Sequence, residues 1–234
     1  MHTWLRWALG DLGAVPAPAR EVGALPWTVV GACSLAVLFG LVFDPALHPV
    51  VRGVSHLVLY GLLPVGLLAL AGERDLAAWG LGLGDVGWWL PRTGLGLLLI
   101  GAFASTAMLL FPDLAAFYPR GDARHDGTAL LVSLAGLSID LLGWEMLFRA
   151  VLLGAFARKL EVRTGLALAA LLFFVGHLDK PLSELFSSLP GGFVAGWFAW
   201  RSRSFLPVYL LHLWQLVTVN AVGFVLAQTV TPGG

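Results

Sequence analysis

Apolar residues along this chain come in long runs, separated by short stretches that carry the charges and most of the prolines. The runs lie near residues 27–43, 50–71, 93–111, 128–157, 165–178, 190–200 and 205–228. A membrane-crossing helix needs roughly 20 apolar residues, fewer where it is tilted or buried among others. The pattern therefore predicts an all-α fold, a polytopic transmembrane helical bundle of about seven segments. The fourth run is too long for one simple crossing, so part of it should tilt or project. The sixth, "GGFVAGWFAW", is short, and its glycines suit close helix packing. Between the second and third runs, "AAWGLGLGDVGWWLPR" carries Trp79, Trp88 and Trp89, the composition of a segment lying at the membrane interface. Pro181 is expected to stop the helix of the fifth run. Residues 1–26 read as an arm before a single membrane domain over 27–228, and no internal repeat is visible.

Composition strengthens the membrane reading. The 234 residues are 58% hydrophobic and 12% charged, with mean hydropathy +0.84. A soluble domain carries about 25% charged residues. Half that density cannot coat a globule, so lipid must cover much of the surface. Fourteen basic and fourteen acidic residues balance, which gives no field for nucleic acid. The single cysteine, Cys33, cannot form an intrachain disulfide. No cleavable signal peptide is evident, and Trp4 and Trp7 suit an arm resting at the membrane surface. If the N-terminus is cytoplasmic and all seven runs cross, nine loop cations fall on the cytoplasmic side and four on the other. The positive-inside rule then favours an N-in protein of the cytoplasmic (inner) membrane.

Against this background the polar residues inside the runs need a reason, because ionisable groups in hydrocarbon are costly and most often functional. "GWEMLFRA" (143–150) sets Glu145 and Arg149 four apart, on one helix face where they can pair. At the helical rise, Glu145 and His177 each lie roughly 18 Å from the cytoplasmic ends of their segments, and His212 roughly 10 Å. A lone buried histidine is usually a packing residue. Two of them at the depth of a carboxylate point to a shared polar pocket. Asp140 lies on a different face, free to meet a neighbouring helix or water. Trp144 and Phe148 read as packing, and His48, His56 and His125 show no pattern. Lys180 and Glu184 belong either to an ordinary solvated loop or to one that closes over a cavity.

These motifs resemble those of the CAAX-protease and bacteriocin-processing family of intramembrane proteases. The family pattern is EExxxR, then FxxxH, then HxxxN. "WEMLFR" (144–149) matches the first from its second Glu onward, "FFVGH" (173–177) the second, and "SFLPVYLLHLWQL" (204–216) the third through His212. The likeness covers roughly residues 130–220. Two positions depart from it. Trp144 stands where the family has the Glu usually taken to activate water, and Leu216 where an Asn is expected. Gln215 and Asn220 are nearby and are candidates to replace that Asn.

The resemblance implies peptide hydrolysis by an activated water, with Glu145, His177 and His212 catalytic. In that scheme Glu145 and His177 draw a proton from water and Arg149 holds the carboxylate. His212 donates to the oxyanion with Gln215 or Asn220, and Glu184 is a further acid. Two His and a Glu also compose a catalytic zinc set, but the helix-borne HExxH is missing, and a cofactor-free glutamic-type mechanism is favoured. The expected partners are the lipid bilayer and a membrane-anchored protein or peptide substrate. The competing expectations are a catalytically silent family member serving as immunity or scaffold protein, and a solute or proton transporter. No pair of similar halves supports the transporter.

Overall fold

The structure, a computed structural model, describes residue 31 and residues 47–230. The arm at 1–26, Cys33 and nearly all of the run at 27–43 lie outside the described residues. Within them the fold is helical: α1 is Pro49–Leu70, α2 Val86–Leu110, α3 Pro112–Phe117, α4 Gly127–Lys159, α5 Val162–Val175, α6 Leu182–Ser202 and α7 Leu206–Val230. Among the described residues, α1, α2, α4 and α7 are long and apolar enough to cross a membrane, whereas α5 is a shorter apolar helix. The chain is an integral membrane protein built as a polytopic helical bundle.

Three boundaries differ from the sequence expectation, each for a local reason. The tryptophan-rich stretch is not one separate segment between helices, because its second half belongs to α2. Asp85 caps α2 by accepting a hydrogen bond from the Trp88 amide at 3.0 Å, so the helix starts at Val86 and swallows Trp88 and Trp89. Trp79 and Trp89 are buried, the latter donating from its indole to the Leu83 carbonyl at 2.8 Å. Pro181 does not end a helix but precedes one, because a fixed φ suits an entry point. Consequently α6 starts at Leu182, eight residues before the expected run, and carries Glu184 in its first turn.

The connections gather at two ends. At one end the Asp85 amide donates to the Ser202 carbonyl at 2.8 Å, Arg158 donates to the Ala78 carbonyl at 2.8 Å, and the Phe205 amide donates to Gly80 at 3.0 Å. At the other, Tyr118 donates to Glu184, Arg120 meets Asp179 at 3.4 Å, and Gln228 donates to the Arg124 carbonyl. The long α4 links the two ends, and α1 runs beside it. That seam is closed by glycine: a Cβ on Gly53 would run into the Gly136 carbonyl, and one on Gly136 into the Pro49 carbonyl. Close backbone approach of this kind is how helices associate where lipid removes the hydrophobic drive. Alongside, His56 of α1 and Asp140 of α4 bond at 2.9 Å, with Arg52 at 3.9 Å from the same carboxylate. Asp140 thus meets a neighbouring helix, and His56, patternless in sequence, is its partner.

Both α1 and α4 widen into π-type turns, over Leu57–Leu62 and Met146–Leu152. The second begins one residue after Glu145, and such insertions recur at functional sites.

Gly136→Ala should cost about 1–3 kcal/mol by overpacking the α1–α4 seam. Gly94→Ala, where a Cβ meets nothing within 4 Å, should change stability by less than about 0.5 kcal/mol. Thermal unfolding of both variants in detergent measures the difference, and equal midpoints would refute the seam.

Candidate active site

Glu145 is fully buried, in the last α-helical turn before the widened stretch of α4. One carboxylate oxygen, Oε2, accepts from Arg149 Nε at 2.9 Å, and the other, Oε1, meets His212 Nδ1 at 2.6 Å. Arg149 is itself buried; its Nη1 donates to the Gly192 carbonyl of α6 at 3.1 Å, and its guanidinium lies 4.2 Å from the centre of the Phe173 ring. The pairing expected from the i,i+4 spacing is therefore present, and α4, α5, α6 and α7 all contribute to it.

Both proton positions at this site follow from donor and acceptor chemistry. A carboxylate held by a guanidinium only accepts hydrogen bonds, so His212 must carry its proton on Nδ1. In the neutral ring, Nε2 is then the bare nitrogen, available as a base. The Glu145–His212 contact has the logic of an oriented acid–imidazole pair, in which the carboxylate fixes the tautomer and balances an imidazolium.

His177 is also buried, in the turn after α5, with Nδ1 at 2.8 Å from the Phe173 carbonyl. Its ring lies 4.4 Å from the Phe173 ring, and the His212 ring lies 6.0 Å from that same phenyl. Phe173 thus gathers both imidazoles and the guanidinium, while the hydrogen bonds of Glu145 go to Arg149 and His212. Trp144 packs on Phe148 at 4.6 Å and reaches the His177 ring at 6.2 Å. A Cβ on Gly176 would come within 2.6 Å of the indole, so only glycine leaves room for it there. The side of His177 facing α4 is consequently aromatic rather than acidic.

A partly open cavity of about 180 Å³ borders His212. Gln215, Leu216 and Val219 of α7 continue its wall, Phe103 and Ala107 of α2 form the apolar side, and Tyr118, Ser183, Glu184 and Ser187 form the polar rim. Glu184 therefore faces a cavity rather than an ordinary solvated loop. Its carboxylate accepts from the Tyr118 hydroxyl at 2.8 Å. Gln215 reaches the cavity, whereas Asn220 is buried and donates to the Leu216 carbonyl of its own helix at 2.8 Å. Tyr118 is the residue that sequence reasoning missed; a tyrosine between two short helices, 66 positions from Glu184, carries no periodic signal. No group of three His, Cys, Asp or Glu side chains among the described residues is arranged to hold a metal ion.

Arg149→Ala should destabilise the protein by about 3–5 kcal/mol, because it strands a buried carboxylate. Adding Glu145→Gln should recover much of that loss. Detergent unfolding of the single and double variants checks this, and a single variant as stable as the wild type would contradict a sealed pair.

Neither a search of curated proteins nor a search of solved structures yields a match. Residues 126–217 do match a family model, type II CAAX prenyl endopeptidase Rce1-like. That stretch runs from the cap of α4 to the middle of α7 and contains Glu145, Arg149, Phe173, His177 and His212. Over this segment, less than half of the chain, the protein is similar to that family of CAAX endopeptidases.

Proposed function

We propose that the chain is an intramembrane endopeptidase in which His212, held by Glu145, is the base that activates water. The observation that carries this reading is the 2.6 Å contact between Glu145 Oε1 and His212 Nδ1, on a ring that borders the cavity. Glu145 has no exposed surface and both of its oxygens are engaged, so its work is to orient the imidazole rather than to touch water. Water in the cavity gives a proton to His212 Nε2 as its oxygen bonds to the scissile carbonyl carbon. Glu145 balances the imidazolium, and the Gln215 amide donates to the developing oxyanion. The imidazolium then protonates the leaving nitrogen as the C–N bond breaks. Phe173 and Trp144 hold His177 in a positioning role. The arrangement supports a metal-independent route, for which activity persisting in chelator is expected.

The substrate would be a membrane-anchored protein or peptide. Phe103 is 66% exposed and also lines the cavity, which favours entry from the bilayer between α2 and α6. The end carrying Arg74, Arg158, Lys159, Arg163, Arg201 and Arg203 faces the cytoplasm on this reading, in the cytoplasmic (inner) membrane with the N-terminus inside. The second reading, a silent immunity or scaffold protein, draws on Trp144, whose indole fills the space beside His177.

A panel of membrane peptides incubated with the protein in liposomes tests the assignment. His212→Ala and Glu145→Ala should each slow cleavage by about 10²–10⁴-fold. His177→Ala should cost no more than about tenfold in rate, equivalent to about 1.4 kcal/mol in the barrier. Cleavage unchanged in His212→Ala removes the proposed base, and a panel left wholly intact favours the silent protein.

A further inference from the structure

The cavity beside His212 has a volume of about 180 Å³. Sites for small ligands run to about 300–1,000 Å³, and a polypeptide laid past the base needs at least as much. A wall of the cavity therefore has to move before a substrate chain can lie there. The walls are not equally fixed. On the α2–α7 side, a Cβ on Gly96 would come within 2.8 Å of Leu211, and one on Gly101 within 2.8 Å of the Trp214 indole. On the α3 side, Leu114 and Tyr118 share a buried apolar cluster with Ala104, Met108 and Val219, and Gly223 lets the Tyr118 carbonyl rest on α7.

The remaining wall is the start of α6, which supplies Ser183, Glu184 and Ser187. Among the described residues, the buried apolar clusters take up α6 from Ala195 onward. Within 182–189 only Ser188 is buried. Polar side chains tie this stretch to α3 and the turn after it. Asp113 accepts from the Ser183 hydroxyl at 2.8 Å and from its amide at 3.3 Å. Glu184 accepts from the Tyr118 hydroxyl at 2.8 Å and also lies in the field of Lys180. Exposed hydrogen bonds such as those to Asp113 open at small cost.

Between the polar start of α6 and its packed remainder lies Pro190–Gly191–Gly192. Pro190 has no N–H, so the Phe186 carbonyl loses its helical donor. Gly191 weakens the helix further, although a Cβ there would meet nothing within 4 Å. Ser187 and Ser188 turn their hydroxyls back to the Glu184 and Leu185 carbonyls at 2.9 and 2.7 Å, a habit that bends helices. Gly192 is held, because its carbonyl accepts from Arg149 at 3.1 Å. Bending therefore falls just ahead of it.

We propose that Leu182–Leu189 is a flap on the cavity, hinged at Pro190–Gly191 and latched by Asp113 and Tyr118, which swings away from α3 to admit an apolar segment of the substrate. Phe103 and Phe111 line the cavity and are also exposed, so this seam opens onto apolar surroundings. The proposal rests on the protease reading for what enters; the opening itself does not depend on turnover.

The test is modification of a cavity thiol, Leu216→Cys in a Cys33→Ser background, in the full chain in nanodiscs. N-ethylmaleimide serves as the small reagent and pyrene maleimide as the bulky one. Asp113→Ala and Tyr118→Phe should each speed the bulky reagent by about three- to tenfold, the worth of one or two exposed hydrogen bonds. Pro190→Ala combined with Gly191→Ala should slow it by at least about tenfold, because a continuous helix resists the bend. The small reagent should react at an unchanged rate in all of them. Tyr118→Phe removes only a hydroxyl, so the latch stays testable if Asp113→Ala does not fold. A bulky-reagent rate that no variant moves, or that moves in step with the small reagent, overturns the flap. Rates that follow the variants in a chain that cleaves nothing remove the protease and keep the flap. Cleavage with a bulky-reagent rate blind to every variant does the reverse.

Discussion

A carboxylate with no exposed surface, inside a bundle whose outer faces are apolar, has to be neutralised by groups that come to it. Glu145 is met by Arg149 from its own helix and by His212 from α7, and Arg149 is tied in turn to the Gly192 carbonyl and the Phe173 ring. Four helices are thereby fixed against one another around a single charge. The cost of leaving that charge unpaired is several kcal/mol, comparable with the net stability of a whole domain. Packing elsewhere can be adjusted by small shifts; this contact cannot, because lipid offers no replacement partner.

The same constraint separates the polar groups of the chain by task. Glu145 is too well held to meet solvent, so it serves the ring beside it. His212 lies at the boundary, with one nitrogen on the carboxylate and its ring on the cavity. Glu184 lies on the cavity rim, where its carboxylate accepts from the Tyr118 hydroxyl. In the proposed enzyme the first two positions correspond to orientation and proton transfer. The apolar replacement at Trp144 fits that division. Its indole occupies the flank of His177, and Gly176 makes the room, so the surroundings of that imidazole are packed rather than acidic.

The periphery supports the centre through shape as well as charge. Glycines at 53 and 136 let α1 approach α4 to backbone contact, and the Asp140–His56 bond ties the same pair of helices beside that seam. At the opposite surface of the site, α3 and the Tyr118 turn close over α6 and α7 and supply the cavity rim.

How much of this was legible in the sequence depends on the range of the interaction. Long apolar runs determined α1, α2, α4 and α7, because length and hydropathy are properties of contiguous residues. The i,i+4 spacing of Glu145 and Arg149 determined their pairing, since helix geometry alone brings them together. A shared slab of the membrane made a meeting of Glu145 with His177 and His212 reasonable to expect, but only the packing of α7 on α4 decided which ring met the carboxylate. That packing gave the carboxylate to His212 rather than His177. Local caps decided the boundaries that hydropathy misplaced: Asp85 draws Trp88 and Trp89 into α2, and Pro181 starts α6 early enough to carry Glu184 on a helix. The Tyr118–Glu184 and His56–Asp140 contacts were invisible for a plainer reason. Each joins residues more than sixty positions apart, and no periodicity of a single segment encodes a partner on another.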